Sequence, residues 1–391
     1  MRARTPRRVV IASRLYAPEV GAAAFRLRAL ARGLAAEGAR VRVVTTTPPR
    51  GTPAMSPDAG VAVARFPVLR DRGGNVRGYV QYLSFDVPLA VRLLFTGGDL
   101  VVSEPPPTTG IVVALTSMIR RRPYAYYAAD VWSDGLVALG APRVLVSVMK
   151  GVEGFVLRHA ATVIAVSEEV AQKVVDFGVA RSAVATVDNG VDTEVFTPDG
   201  PVAPGARPAF VYTGSMSEWQ SPAIFVEALA IVRQRFPEAS IRFFGQGVEE
   251  SHVSEAAARL GLADAVHLGG VIPPAETAEW IRGATAALAS IRPGIGYDFA
   301  KPTKTYAAAA CGTPVVFAGR GAGAALVERN DLGWRSDFTP EAVAQAMIAA
   351  AEADGGADHA RRRVSRVEWV RQHASLAAAG QRAARRLLAS E

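Results

Sequence analysis

The sequence carries a single cysteine, Cys311, among 391 residues. One thiol builds no disulfide framework and no Cys-based metal site. It stands after a run of alanines and just before Gly312, a setting that suits a small buried side chain better than a nucleophile. So little cysteine fits a reducing compartment. The five histidines are scattered, with no zinc spacing. No apolar run approaches the length that crosses a bilayer. The start, MRARTPRRVVIASRLY, is basic, but its apolar run is short and Arg14 interrupts it, so it does not read as a secretory leader. A Gly-x-Gly-x-x-Gly fingerprint is missing from the loop after the first apolar segment, which counts against NAD.

What is present describes a globular α/β protein. Half of the residues are hydrophobic and a fifth are charged, a balance that leaves little room for disorder except at the ends. The length suits two domains, each burying its own core. Charge is unevenly placed. Residues 1–160 carry 22 Lys and Arg against 10 Asp and Glu, a balance of +12, so the rest holds −4 of the total of +8. A basic first half fits an anionic membrane, a pyrophosphate-linked acceptor or nucleic acid, or only arginines dispersed by a GC-rich genome.

Residues 8–12 read as a buried strand, 22–37 as a helix ended by Gly38, and 41–45 as a second strand. That βαβ unit implies a parallel sheet. Ligands gather at the carboxyl ends of such strands, which directs the Pro18-Glu19-Val20-Gly21 loop to the site. Residues 78–95, GYVQYLSFDVPLAVRLLF, alternate aromatic, aliphatic and basic side chains. Their apolar face either packs in the core or lies on a membrane surface. Residues 124–129 form a strand that delivers Asp130 and Trp132 to its carboxyl end. Asp130 is there either an acid/base or substrate-binding group or the cap of the next helix. Glu168 and Glu169 read as helix-start carboxylates. Residues 199–208, DGPVAPGARP, are a linker. The pattern then restarts, with strands ending at Gly214, at Gly245 and Gly247, and at Gly269 and Gly270. Glycines there let backbone come close to a nucleotide. Residues 363–389 read as one final amphipathic helix.

The most informative stretch is 296–319, GYDFAKPTKTYAAAACGTPVVFAG. Pro302 suits a helix start and Thr303 offers a hydroxyl cap. Free amides beside Lys301 and Lys304 would seat a phosphate. The same features also describe an Ala-rich packing helix with exposed lysines. The pattern Pro302-Thr303-Lys304-x-Tyr306, then Ala310-Cys311-Gly312-x-Pro314-Val315, resembles the donor segment of family-4 retaining glycosyltransferases. Within them it is similar to the branch that builds bacterial surface polysaccharides of the O-antigen type. Tyr16-x-Pro18-Glu19-x-Gly21 with Arg26, Asp130-x-Trp132, and Asn189-Gly190-Val191-Asp192 resemble further motifs of that family. The resemblance spans roughly residues 8 to 385.

It implies a GT-B fold: two facing Rossmann-like domains with an interdomain cleft, and a C-terminal helix that crosses back to the first domain. The expected bounds are 1–198 for the acceptor domain, 199–208 for the linker, 209–365 for the donor domain and 366–391 for the returning helix. The implied activity is retaining transfer of a sugar from a nucleoside-diphosphate donor to a lipid-linked saccharide acceptor at the cytoplasmic face of the membrane. Peripheral contact with anionic lipid is expected, and metal, other cofactor or nucleic acid is not. The resemblance assigns Asp130 and Lys304 to catalysis, and Pro18, Glu19 and Trp132 to the acceptor. It assigns Gly21, Gly214, Gly245, Gly247, Val271, Ile272, Lys301, Thr303, Lys304, Tyr306 and Glu328 to the donor. Two departures stand out: the family has glutamates, for the donor sugar and the ribose, where this chain has Phe299 and Ala307. Losing one such hydrogen-bonded carboxylate removes on the order of 1–3 kcal/mol. Weaker donor binding, an unusual donor and lost catalysis are all open outcomes; retention of Lys304, Tyr306 and Asp130 favours surviving activity. A soluble natural-product acceptor, a nucleotide-sugar epimerase of the same architecture and a basic nucleic-acid module are the rival readings.

Overall fold

A computed structural model of the protein describes residues 6–19, 21–52, 55–71, 74, 76, 78–138, 141–188, 190–205 and 208–389. Val20 and Asn189, each within a motif quoted above, lie outside them, as do residues 206–207 of the linker. The chain forms two compact units, residues 1–189 with 376–391, and residues 190–375.

The first unit opens with β1 (Arg8–Ala12), α1 (Ala22–Ala36), β2 (Arg40–Thr46) and β3 (Val61–Phe66). There follow α2 (Tyr79–Phe95), β4 (Leu100–Ser103), α3 (Pro107–Ile119), β5 (Tyr124–Ala128) and α4 (Trp132–Ala138). It continues through α5 (Arg143–His159), β6 (Thr162–Ala165), α6 (Glu168–Asp176) and β7 (Val184–Thr186). The seven strands lie in the order β3-β2-β1-β4-β5-β6-β7, and their pairings are parallel. Helices cover both faces, so the central strands are apolar throughout, as in Val9-Val10-Ile11 and in Tyr124 to Ala128. Leu27, Leu30 and Leu34 of α1 close one face; Phe85, Leu89 and Leu93 of α2 help close the other.

The second unit runs through β8 (Ala209–Thr213), α7 (Ala223–Arg235), β9 (Ser240–Phe244), α8 (Glu250–Arg259) and β10 (Val266–Leu268). Next come α9 (Pro274–Gly283), β11 (Ala286–Ile291), α10 (Thr303–Ala310), β12 (Val315–Gly319) and α11 (Gly321–Arg329). It ends with β13 (Gly333–Ser336), α12 (Pro340–Ala353) and α13 (His359–His373). Its six strands, again parallel, lie in the order β10-β9-β8-β11-β12-β13.

The tail differs from the single helix expected. It breaks at Ala374 and Ser375 into α13 and α14 (Leu376–Ala389). The two helices belong to different units. In the second unit Trp369 of α13 stacks on Tyr306, 6.2 Å between rings, and Arg366 Nε donates to the Gly312 carbonyl at 3.0 Å. In the first, α14 lies so close to α1 that a Cβ on Gly33 would stand 2.6 Å from the Gly380 carbonyl oxygen. Only glycine admits that approach. Residues 190–198 also group with the second unit, ahead of the expected boundary. Val191 N–H donates to the Ala374 carbonyl at 2.8 Å, and Phe196 packs on that unit's core.

Candidate functional site

In the second unit the carboxyl ends of β8, β9 and β11 share one edge of the sheet. The loops leaving them are laced by backbone bonds. Gly214 N–H donates to the Phe244 carbonyl at 2.8 Å, Gly245 N–H to Gly270 at 2.7 Å, and Met216 N–H to Gln246 at 3.0 Å. A Cβ on Gly245, whose φ is +135°, would meet the Gly214 carbonyl oxygen at 1.9 Å. Glycine is required there for loop to lie on loop, a reason additional to any ligand.

Lys304 reaches this edge from the first turn of α10. Its Nζ sits 3.4 Å from the centre of the Tyr212 ring and 3.4 Å from Gln220 Oε1. Gln220 is itself fixed: the Tyr212 hydroxyl lies 2.6 Å from its Oε1, and Ser290 Oγ donates to its carbonyl at 2.6 Å. No carboxylate among the described residues pairs with Lys304. The side chain as a whole is half-buried, but its ammonium end is enclosed, and burial pushes its pKa well below the usual lysine value. A cation held by an aromatic face and one amide oxygen lacks a counter-charge. An incoming anion would supply one. The first amides of α10 have no acceptor within the helix and add positive potential. Thr303 is the first helical residue and Pro302 occupies the cap position, with no side-chain cap bond. The expected Thr303 hydroxyl cap is not formed.

The first unit has a hollow of about 660 Å³ at the carboxyl end of β5, walled by Arg14, Glu19, Arg26, Tyr82, Glu104, Asp130 and Trp132 among others. Most of its charges neutralise one another. Arg26, buried, donates to Glu104 at 3.0 Å, and Ser13 Oγ lies 2.8 Å from the same carboxylate. Arg70 grips Glu19 at 2.8 and 3.2 Å, and Thr46 Oγ1 reaches Glu19 at 3.0 Å. Arg14 caps the Tyr82 ring at 4.4 Å and donates to the Val76 carbonyl. Asp130 differs. It opens to solvent, yet the surrounding protein is dense enough that desolvation raises its pKa, with nearby Glu104 adding to the rise and Arg26 opposing it. A carboxyl group so placed can accept or hold a proton at a bound hydroxyl. Below it, buried Glu153 accepts from the amides of Trp132 at 2.8 Å and Ser133 at 3.1 Å, fixing the start of α4.

Residues 21–190 match the "Glycosyl transferase 4-like domain" family and residues 207–353 match "Glycosyl transferases group 1". The chain is built of two glycosyltransferase domains. A "D-inositol 3-phosphate glycosyltransferase" of Kribbella flavida is 30% identical over 171 residues, which make up 39% of this chain and 39% of the relative. The chain thus aligns with about two fifths of that relative's length. Among solved structures, Anabaena Alr3699/HepE in complex with UDP superposes with a TM-score of 0.68 at 18% identity, over 98% of this chain and 99% of that one. Sucrose-phosphate synthase (tll1590) from Thermosynechococcus elongatus gives 0.69 at 17% identity, over 98% and 100%. At such identities the likeness is one of fold: the two Rossmann-like halves of GT-B glycosyltransferases.

Within the group 1 domain, Gly214, Gly245, Gly247 and Lys304 come together, with Lys301 and Thr303 at the mouth of α10. Tyr306 and Ala307 point instead into the core; Tyr306 stacks on α13. Val271 is exposed and Ile272 rests on the core. Glu328 lies at the far end of α11, exposed and 3.4 Å from Arg335. Phe299 stacks on Tyr297 at 6.0 Å and Tyr297 on Trp219 at 4.9 Å, a partly exposed aromatic ladder that joins the loop before α10 to the loop after β8. In the 4-like domain, Asp130 and Trp132 line the hollow, and Trp132 meets Tyr82 edge-on at 6.0 Å. Glu19 also lines it, but its carboxylate is already held by Arg70 and Thr46; Gly21 precedes α1, and Pro18 follows a cis peptide. Sequence reading missed Tyr212 and Gln220 beside Lys304, and Glu104, Glu153 and Tyr82 around Asp130. The loop between β8 and α7 also carries Ser215, Ser217, Glu218 and Ser221, so no local signal singled out Gln220.

Proposed function

We propose that the protein transfers a sugar, with retention of configuration, from a nucleoside-diphosphate donor to a lipid-linked saccharide acceptor in surface-glycan assembly. The observation that carries the donor half of this reading is Lys304: a buried ammonium without a carboxylate partner, among glycine loops at the carboxyl edge of a parallel sheet. When the bond from the anomeric carbon to the diphosphate breaks, negative charge grows on the leaving oxygens, and Lys304 with the α10 amides stabilises it. Asp130 positions the acceptor hydroxyl or takes its proton as the new glycosidic bond forms. With Lys304 supplying that charge, the reading requires no metal ion. Retention is drawn from the resemblance of the donor segment to retaining enzymes.

A second reading of the acceptor has a specific observation behind it. The Kribbella flavida relative is called a D-inositol 3-phosphate glycosyltransferase, and Arg14 in the Asp130 hollow has a carbonyl and a ring as partners but no carboxylate among the described residues, so a phosphorylated polyol is the alternative acceptor.

The test is a thermal-shift screen against nucleotide sugars, followed by transfer assays with lipid-linked saccharides and with inositol phosphate, the product anomer being read by NMR. Transfer to lipid-linked acceptor with the donor's configuration kept, in the presence of EDTA, supports the proposal. Transfer to inositol phosphate alone selects the second acceptor. An inverted product removes retention, an epimerised donor without acceptor makes the protein an epimerase, and failure to bind any nucleotide removes the reading altogether.

A further inference from the structure

We infer that the layer formed by α2, α3 and α5 is a docking surface for an anionic lipid bilayer. Helix α2 has two apolar faces. Phe85, Leu89 and Leu93 are buried against the sheet, while Val80, Leu83, Val87, Val91 and Phe95 are exposed, Phe95 by 84%. Steps of three and four residues place these five on one stripe, about 22 Å long at the helical rise of 1.5 Å per residue. Leu115, Met118 and Ile119 continue it at the end of α3, and Val144 and Val148 along α5. Helix α3 packs against both neighbours, so the three stripes belong to one layer. An apolar face of this extent on a folded unit marks a place where something binds.

Charge identifies what binds. The three helices contain two carboxylates, Asp86 and Glu153, and both are buried at 2% exposure. Their exposed charges are all positive: Arg92, Arg143, Lys150 and Arg158, with Arg120 and Arg121 directly after α3. Apolar side chains surrounded by unopposed cations suit the boundary between acyl chains and anionic headgroups, where long basic side chains reach outward to phosphate. A second copy of this chain is disfavoured, because a two-fold pairing through this face sets like charges opposite one another. No helix among the described residues is long and apolar enough to cross a membrane, so the contact is one of lying on the surface. This inference does not rest on the transferase reading: it concerns a different surface, and a failed donor assay leaves it standing.

The experiment is sedimentation of the full chain with vesicles of phosphatidylcholine alone and of an equimolar mixture with phosphatidylglycerol. Binding to the mixed vesicles, little to the neutral ones, and release at about 1 M salt, where the screening length falls to about 3 Å, is the expected result. Arg120→Glu with Arg121→Glu is expected to lower partitioning roughly tenfold or more. Val87→Asp with Val91→Asp should do at least as much. All four positions are exposed, so an unchanged melting temperature accompanies the loss. Phe95→Trp gives an independent readout, a blue-shifted emission on anionic vesicles only. Equal binding to both vesicle types, no binding to either, or variants that partition like the parent overturn the inference. So does a concentration-dependent dimer that Val87→Asp dissolves, or capture of an acidic protein with no affinity for lipid.

Discussion

The two units are both parallel sheets with glycine-bearing loops at their carboxyl edge, yet they handle charge in opposite ways. In the first, Arg26 and Glu104 hold each other, as do Arg70 and Glu19, and the walls of the hollow are internally balanced except at Asp130 and Arg14. In the second, the ammonium of Lys304 is enclosed and no carboxylate among the described residues pairs with it. The difference teaches how each unit can meet a ligand. A balanced wall provides shape and hydrogen bonds for a polar, largely uncharged molecule. An unbalanced cation provides a seat for an anion.

The sharpest way to break the comparison is at Asp130, the one hollow carboxylate that no arginine grips. Asp130→Asn is expected to lower kcat by about 10²- to 10⁴-fold, with donor binding unchanged, as measured by steady-state transfer. Equal turnover would return Asp130 to a structural role at the start of α4. Next is Glu104→Ala, which leaves Arg26 buried without its partner. Breaking a buried pair from one side costs about 3–5 kcal/mol, so denaturant unfolding should show the first unit strongly weakened.

Lys304→Met is the counterpart in the second unit and should do the reverse. It removes a buried unneutralised cation, so stability holds or rises, while affinity for a nucleoside diphosphate falls roughly 10- to 100-fold, matching the loss of a charge-assisted contact. The same site has a pH signature. Burial lowers the Lys304 pKa in the free protein, and a bound anion raises it again, so binding takes up a proton. Affinity is therefore highest below the depressed pKa and declines as pH rises through it. Calorimetry in buffers of different ionisation enthalpy reads that uptake. The smallest effect is expected at the aromatic ladder. Phe299→Ala removes one stacked ring pair worth about 0.5–1.5 kcal/mol. Its effect should be a few-fold change in donor binding without loss of fold.

Much of the architecture was legible in the sequence because it rests on local rules. Unbroken apolar runs such as Val9 to Ala12 and Ala286 to Ile291 mark strands buried on both faces, and strand-end glycines mark the ligand edge. Lys304 and Asp130 were found because each is a charged residue just past a strand or at a helix start. Their surroundings were not legible. Gln220 meets Lys304 across 84 residues of chain, and Glu104 meets Ser13 across 91. No local periodicity records such a pairing. The broken tail was also hidden, since Ala374 and Ser375 carry no proline or glycine to signal the stop. The two faces of α2 were visible as apolar residues, but which face the sheet covers depends on the neighbouring strands.

The most direct test is titration of uridine diphosphate into the parent chain and into Lys304→Met at neutral pH, with melting followed in parallel. We predict binding by the parent, roughly 10- to 100-fold weaker binding by the variant, and a variant at least as stable as the parent. Equal affinity in the two proteins would contradict the account, because Lys304 would then be an ordinary packing residue and the second unit would hold no seat for a diphosphate.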